Sequence, residues 1–396
     1  MFSVKVQAIS PSPTLAIDAK AKQMKADGID VIGFGAGEPD FDTPVHIREA
    51  AIKAINDGFT RYTPVAGSAD LLEAVCRKFS RDNGLQYEAK NIVVSNGAKH
   101  SLANAFAALL NPGDEVIIPA PYWVSYPEIV KMNDGVPVIV ATAKENNFKI
   151  TPKELQQALT EKTKVILLNS PNNPTGQVYS RAELEAIADF AVTHNLYVVS
   201  DEIYEKLIYG NAEHVSIASL GEAIKERTIV VNGVSKAYAM TGWRIGFTAS
   251  TAALAKMMSS LQSHMTSNAN SIAQKATVAA LLGPQDCVAE MKAAFAARRD
   301  AMVEKIAAIP GLSCIEPLGA FYVFMDVSAT LGRSCRGRTI KTSDDFAEAL
   351  LEEKQVAVVP GTGFGAPEFI RLSYALSMEK MLEGLERIDA FVKSLA

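Results

Sequence analysis

The sequence lacks the features that several protein classes require. Its 396 residues include only four cysteines and five histidines. The cysteines form no CxxC pair and the histidines no HExxH cluster, so we expect neither a metal site nor a secreted disulfide scaffold. The glycine-rich stretches at 33–37 and 361–365 lack the GxGxxG spacing of dinucleotide-binding turns, and no GxxxxGK segment occurs.

An excess of basic charge and long apolar runs are also missing. Lysine and arginine number 39 against 44 acidic residues, a net charge of −5, so no general basic field favours nucleic acid. The longest apolar runs, such as 116–121 and 136–141, are too short to span a bilayer. The first 30 residues contain no apolar signal-peptide region. A hydrophobic content of 48% favours a globular enzyme, which we expect to be cytoplasmic.

Short β-branched runs alternate with helical stretches through the middle of the chain. The runs lie at 91–95, 115–119, 137–142, 164–169, 197–201, 228–232 and 244–249. Their near-continuous hydrophobicity predicts strands covered on both faces. Thr151 and Ser180 each begin a capping-box pattern before a helix. Repeated βα units predict an α/β fold with a mostly parallel seven-stranded sheet and helices on both faces.

The pattern changes after about residue 285. A long charged helix at 286–309 precedes separated strands at 312–316, 321–327, 356–359 and 369–374, which is typical of a smaller α+β domain. Residues 1–45 precede the α/β alternation and are expected to join that domain. We therefore predict a large domain at 46–285 and a small one formed by 1–45 plus 286–396.

Four segments at strand ends carry side chains suited to chemistry, and ligands of open α/β sheets bind at the carboxyl ends of strands. Lys236 follows a strand among small residues and can act there as a free amine, although most lysines are solvated surface groups. Arg244, eight residues later, is suited to a phosphate. Asp201 ends a buried strand with Tyr204 three residues later, an arrangement that a simple helix cap also produces.

Two further turns complete this set. Prolines and a glycine make the loop at 169–176 rigid, so it presents Asn173 with little entropy left to lose, although a plain turn looks the same. The small-residue turn at 95–101 leads into a helix, and the first N–H groups of that helix, from Ala98 and Lys99, can hold a phosphate. Many βα turns share this last feature.

The order of these segments is more specific than any one of them. PNNPTG, SDEIY, SK, TGWRIG and a late FIRLSYA follow each other, and the chain resembles the class I aminotransferases of fold type I from about Pro11 to Arg371. It looks closest to the bacterial aspartate aminotransferase subgroup, which includes prephenate aminotransferases. The resemblance implies the pyridoxal 5'-phosphate (PLP)-transferase fold, with PLP as cofactor and the small domain closing over the active site.

The resemblance also implies roles around the cofactor ring. Lys236 would carry PLP covalently and, once freed, move the proton between Cα and C4'. Asp201 would keep the pyridine nitrogen protonated. Tyr204 and Asn173 would contact the ring hydroxyl. Trp123 would stack on the ring and border the substrate, although a core tryptophan is the plain alternative.

For the cofactor phosphate, the resemblance implies the N–H groups of Ala98 and Lys99, Arg244, Ser235, and Tyr62 from a second subunit. That last contribution implies a homodimer with shared active sites.

For the substrate, Arg371 matches the arginine that takes the α-carboxylate in two bonds, whereas taken alone it would be read as a surface ion pair. Asn173 and the backbone of Gly37 would complete that contact. The segment at 264–274 lacks the arginine that other dicarboxylate aminotransferases use. The closer subgroup instead has a lysine, here Lys99, assisted by hydroxyls that match Ser12 and Thr14; Lys99 acting only as a charge near the phosphate is the alternative.

The function implied is transfer of the amino group of aspartate, with glutamate and 2-oxoglutarate as counter-pair, by ping-pong kinetics. Prephenate, aromatic and alanine substrates remain open. A PLP-dependent C–S lyase is a rival that would yield pyruvate and ammonia. A PLP-sensing regulator is a second rival, but the resemblance starts near residue 10 and we expect no appended DNA-binding domain.

Overall fold

The computed structural model describes residues 2–10 and 13–396, apart from the side chains of residues 4, 13–16 and 18. Its helices are α1 (Val4–Gln7), α2 (Pro13–Ala26), α3 (Val45–Asn56), α4 (Ala69–Asn83), α5 (Ala98–Leu109), α6 (Ser125–Met132), α7 (Pro152–Ala158), α8 (Arg181–Thr193), α9 (Glu222–Lys225), α10 (Ala252–Met265), α11 (Ser271–Leu282), α12 (Asp286–Ala307), α13 (Ser343–Lys354) and α14 (Met378–Ser394). Its strands are β1 (Ile32–Gly33), β2 (Ile92–Ser95), β3 (Glu115–Ala120), β4 (Val136–Ala141), β5 (Thr163–Asn169), β6 (Tyr197–Asp201), β7 (Thr228–Gly233), β8 (Gly246–Ala249), β9 (Ser313–Cys314), β10 (Tyr322–Asp326), β11 (Ser334–Cys335), β12 (Arg338–Thr339), β13 (Val356–Ala357), β14 (Val359–Pro360) and β15 (Phe369–Ser373). None of the helices in these two ranges is both long enough and apolar enough to cross a membrane.

The central sheet has seven strands in the order β2-β8-β7-β6-β5-β3-β4. Strand β8 is antiparallel to both of its neighbours, and the other pairs are parallel. Each predicted strand of this sheet lies within two residues of an observed one. The predicted α/β class with a mostly parallel seven-stranded sheet is therefore confirmed.

The inner strands of the central sheet are covered on both faces. In β5, Val165 and Leu167 pack with residues of α5 and α10, whereas Ile166 and Leu168 pack with residues of α8. Strand β4 is different, because it is the last strand in the sheet and leaves Val136 45% exposed. The prediction that this run is covered on both faces is wrong.

Two predicted helix starts in this half of the chain are confirmed. The hydroxyl of Thr151 accepts a hydrogen bond from the backbone of Glu154, and that of Ser180 accepts one from the backbone of Glu183. The carboxylate of each glutamate in turn accepts a hydrogen bond from the backbone N–H of its capping residue. Both capping boxes thus satisfy N–H groups that a helix start would otherwise leave without an acceptor.

The C-terminal part of the chain forms a second sheet, antiparallel, in the order β14-β15-β10-β9. The predicted strand at 356–359 is wrong as one element. Its first half is β13, which pairs with β1, and its second half is β14, which pairs with β15. The pairing of β1 with β13 links the N-terminal segment to this region. The division into domains at residues 46 and 286 stays a prediction.

Candidate active site

A cleft of about 550 Å³ opens where the strands of the central sheet end and the second sheet faces them. Asn169, at the end of β5, lies opposite Asp201, at the end of β6. The cleft brings together most of the residues singled out from the sequence, namely Gly37, Ala98, Lys99, Trp123, Asn173, Asp201, Tyr204, Ser235, Lys236, Arg244 and Arg371. The site follows from the parallel sheet, because parallel strands place their carboxyl ends on one edge.

Lys236 follows β7 and extends into the cleft. Its Nζ donates a hydrogen bond of 2.5 Å to the carbonyl oxygen of Gly37, and it lies 5.8 Å from the centre of the Phe321 ring. Burial lowers the pKa of Lys236 to about 8, against an opposing effect of Glu38. Because desolvation disfavours the ammonium form, the side chain supplies a free amine much closer to neutral pH than an exposed lysine does.

Asp201 lies at the floor of the cleft and is 3% exposed. One carboxylate oxygen accepts a hydrogen bond of 2.8 Å from the hydroxyl of Tyr126, and the other accepts one of 3.2 Å from the backbone N–H of Ile203. Burial raises the pKa of Asp201 to about 6, although the bond from Tyr126 opposes the change. A buried carboxyl of this kind is suited to a protonated nitrogen placed against it.

Arg371, in the middle of β15, is buried and has no described carboxylate within ion-pair distance. Its Nη1 donates to Oδ1 of Asn173 and its Nη2 to the carbonyl oxygen of Gly35, each at 3.1 Å. Its Nε has no hydrogen-bond partner among the described residues. A buried guanidinium without an anion is costly, so this group is arranged to receive a carboxylate from outside the chain.

The turn before α5 is arranged to hold an anion. The backbone N–H groups of Ala98 and Lys99 begin the helix and have no acceptor among the described residues. Gly97 has φ 85°, and a Cβ there would lie 2.3 Å from Nη2 of Arg244. Only glycine therefore allows the guanidinium to lie against this turn, where two N–H groups and one cation surround the same space.

Lys99 extends over Trp123 at the mouth of the cleft. Its Nζ lies 4.8 Å from the centre of the indole ring, and Trp123 in turn packs edge-on against Tyr126. Partial burial and the charge of Arg244 lower the pKa of Lys99. Both residues line the cleft, and the Trp123 ring helps to hold the ammonium at its wall.

Three predicted site residues are not among those brought together. Tyr62 is 89% exposed and does not line the cleft. Ser12 lies outside the described residues. Thr14 belongs to α2, but its side chain lies outside the described part.

The structure adds residues that the sequence did not single out. Tyr126 lies in the first turn of α6 and binds Asp201, a contact between segments that are distant in the sequence. Tyr322 bonds to Tyr204 and stacks on Arg371. That contact depends on the pairing of β10 with β15, and no local pattern in the sequence indicates it.

Comparisons with known proteins agree with this geometry. Residues 29–388 match the family described as aminotransferase class I and II. The chain belongs to this family. An aspartate aminotransferase from Bacillus sp. (strain YM-2) is 53% identical over 99% of both chains. An aspartate/prephenate aminotransferase from Nitrosomonas europaea is 47% identical, again over 99% of both chains. A crystal structure of the aspartate aminotransferase from Rhizobium meliloti is 45% identical, with a TM-score of 0.97 over the whole of each chain. The resemblance found in the sequence is confirmed.

Proposed function

We propose that this aminotransferase uses PLP to move the amino group of aspartate, with glutamate and 2-oxoglutarate as the counter-pair. One observation carries the proposal: a buried arginine without an anion and a lysine with a strongly lowered pKa line the same cleft. An amino acid offers a carboxylate to the first of these side chains and a Cα–H bond and amino group to the second. The named relatives act on aspartate, which favours that amino donor.

The residues present fit PLP. The two acceptor-free N–H groups of Ala98 and Lys99, together with Arg244, suit its phosphate, and Ser235 also lines the cleft and would add a hydroxyl. The carboxyl of Asp201 suits the pyridine nitrogen. When bound, PLP supplies an electron sink for the negative charge left at Cα.

Lys236 would hold the cofactor and then move the proton. Because the pKa of Lys236 is lowered, its ammonium loses a proton more readily than that of a solvated lysine, and the neutral amine is available to react. The hydrogen bond from Nζ of Lys236 to the carbonyl oxygen of Gly37 places the amine beside the segment at 35–38, which lines the cleft. From there the freed amine would accept the Cα proton and return it at C4'.

Arg371 and Asn173 would bind and orient the α-carboxylate. Two bonds from a planar guanidinium fix the substrate in one orientation, so that its Cα–H bond faces Lys236. Lys99, which borders the cleft beside Trp123, would bind the second carboxylate of a dicarboxylic substrate. A single ammonium without bidentate geometry gives looser selection, so prephenate remains a possible acceptor.

We also propose a homodimer in which Tyr62 serves the partner's site. Tyr62 is 89% exposed, and Ile52 and Ile55, three residues apart on α3, are 56% and 54% exposed. Such side chains are favoured in contact with a second subunit. Mixing a Tyr62→Ala chain with a Lys236→Ala chain tests sharing, because each hybrid dimer regains one complete site. Light scattering should give a dimer mass, and a mixture no more active than its parents contradicts the arrangement. The cytoplasmic location stays a prediction.

A panel of amino donors tests the function directly. The holoenzyme is mixed with aspartate, glutamate, phenylalanine, alanine or arogenate, and absorbance follows conversion of bound PLP to pyridoxamine phosphate. We expect aspartate and glutamate to convert it fastest and an oxo acid to restore the starting spectrum. Release of pyruvate and ammonia from cystathionine, without pyridoxamine phosphate, would instead indicate a lyase.

A further inference from the structure

Tyr322 touches the two functional halves of the cleft at once. Its hydroxyl lies 3.1 Å from the hydroxyl of Tyr204, and its ring lies 4.4 Å from the guanidinium carbon of Arg371. We propose that Tyr322 is a positioning residue that links the carboxylate-binding arginine to the hydroxyl of Tyr204. The inference rests on the proposed function, in which Tyr204 contacts the cofactor ring oxygen.

The direction of the bond follows from counting protons. Both phenols are buried, and Tyr204 is the only partner that the hydroxyl of Tyr322 has among the described residues. A buried hydroxyl proton without an acceptor is costly. If Tyr204 donates to a ring oxygen, both protons are satisfied only when Tyr322 donates to the oxygen of Tyr204.

The position of Arg371 strengthens this chain of bonds. A cation over the face of a phenol draws charge from the ring and makes its O–H a better donor. Hydrogen bonds in series polarise one another, so a stronger bond from Tyr322 makes Tyr204 a stronger donor in turn. Arg371 therefore strengthens the hydrogen bond that Tyr204 donates, and it does so through Tyr322 rather than by contacting Tyr204.

The ring of Tyr322 has a second task. Arg371 lies between this ring and that of Phe364, at 4.4 and 5.2 Å from their centres. The stacking fixes the plane of the guanidinium while its Nε remains unpaired. The ring thus orients the carboxylate-binding fork, and the hydroxyl orients Tyr204.

Two variants separate the tasks. Tyr322→Phe keeps the ring and removes the hydroxyl, whereas Tyr322→Leu removes both. The first readout is the pH midpoint of the absorbance change of the lysine-bound cofactor. The second is the dissociation constant of succinate, a dicarboxylate that cannot react. Tyr374→Phe is the matched control, since Tyr374 is also buried and its hydroxyl donates to the carbonyl oxygen of Ala320, which does not line the cleft.

We expect Tyr322→Phe to raise the midpoint by at least about half a pH unit. A ring oxygen that loses part of its hydrogen bond becomes more basic and keeps the neighbouring proton to higher pH. In a Tyr204→Phe background the same change should add nothing. Succinate binding should stay within about twofold in Tyr322→Phe and weaken about tenfold in Tyr322→Leu.

A midpoint that stays at the wild-type value in Tyr322→Phe, or that shifts further in the Tyr204→Phe background, overturns the hydroxyl link. Unchanged succinate binding in Tyr322→Leu overturns the stacking role. Should Tyr322→Phe not fold, 3-fluorotyrosine at this position keeps the shape and makes the hydroxyl a better donor, so the midpoint must fall. A wild-type protein that binds no PLP at Lys236 refutes the proposed function itself, before any variant is compared.

Discussion

Two groups of buried charged residues lie on opposite sides of the segment at 201–205, and they are completed in different ways. Behind the segment lies a cluster of Lys78, Glu202, Glu205 and His214, here called the paired cluster, in which basic and acidic side chains contact each other. Lys78 pairs with Glu205, and His214 lies 3.1 Å from Glu202. In the cleft, by contrast, Arg371 has neither a carboxylate within ion-pair distance nor an acceptor for its Nε in the part of the chain that the structure describes.

The paired cluster is also rich in neutral donors. The hydroxyls of Ser200 and Ser216 donate to Glu202, and the side-chain amide of Asn83 donates to Glu205. Glu202, Glu205 and His214 bring ligand atoms within 4.8 Å of one another, but the ammonium of Lys78 occupies Glu205, so we assign these groups to the ion pairs.

The two groups distinguish buried charges that stabilise the fold from buried charges that need a ligand. Successive residues of one short segment face opposite ways: Asp201 and Tyr204 toward the cleft, Glu202 and Glu205 toward the paired cluster. Where the chain supplies the opposite charge, the ion pair holds the segment in place. Where it does not, an external group must complete the site, and changes on the two sides should have opposite consequences.

The largest effect should come from Lys236. If Lys236 holds the cofactor and moves the proton as proposed, Lys236→Ala removes both contributions at once, so turnover should fall by about 10⁴-fold. Steady-state assay with aspartate and 2-oxoglutarate measures the loss, and the absorbance of lysine-bound PLP should vanish with it. Lys206→Ala, a partly buried lysine paired with Asp82, is the control and should keep the activity.

Arg371 and Lys78 provide the sharpest test of the comparison. Arg371→Leu should lower kcat/KM by about 10² to 10³-fold, as expected for loss of a buried charge contact, yet leave the unfolding temperature unchanged or higher because the change removes a buried charge and leaves no opposite charge without its partner.

Lys78→Met should do the reverse. It leaves Glu205 buried without its cation and should destabilise the fold by about 3–5 kcal/mol, while the folded fraction keeps its kcat/KM. Denaturant unfolding and kinetics on both variants decide the matter, and equal stability losses would refute the distinction between the two groups.

Asp201 should make the stability of the cofactor-free protein depend on pH. Burial raises the pKa of Asp201 from 3.8 to about 6, so the folded state holds this proton more tightly than the unfolded state. The resulting stability, up to about 3 kcal/mol, is present below pH 3.8 and lost as pH rises through about 6. Asp201→Asn should flatten this part of a thermal-unfolding profile; a variant with the wild-type slope would contradict the assignment.

Lys99 should have the smallest effect. Lys99→Met keeps a long side chain over Trp123 but removes the charge, so the preference for aspartate over alanine should fall by about 10 to 100-fold. The ratio of kcat/KM for the two donors measures this. An unchanged ratio would mean that Lys99 serves only the phosphate side.

The sequence predicted the parts of the site that depend on neighbours along the chain. Asp201 ends a largely apolar strand, and Asn173 and Lys236 follow such strands; the parallel sheet then brings these ends together. Thr151 and Ser180 identified helix starts because capping is also local.

What the sequence did not reveal depends on packing between distant segments. Tyr322 reaches Arg371 only through the register of β10 against β15, which pairs Phe324 with Arg371. Val136 is exposed because β4 is at the edge of the sheet, and the hydrophobic pattern of a sequence does not indicate the order of strands in a sheet. The run at 356–359 is uniformly apolar, so nothing local marks its division between two sheets.

Reduction with borohydride tests the central claim most directly. The protein is loaded with PLP, reduced, digested, and mapped by mass spectrometry. We expect one modified residue, Lys236, and no modification of Lys99, although Lys99 borders the same cleft. A reduced cofactor on another lysine, or on none, would contradict it.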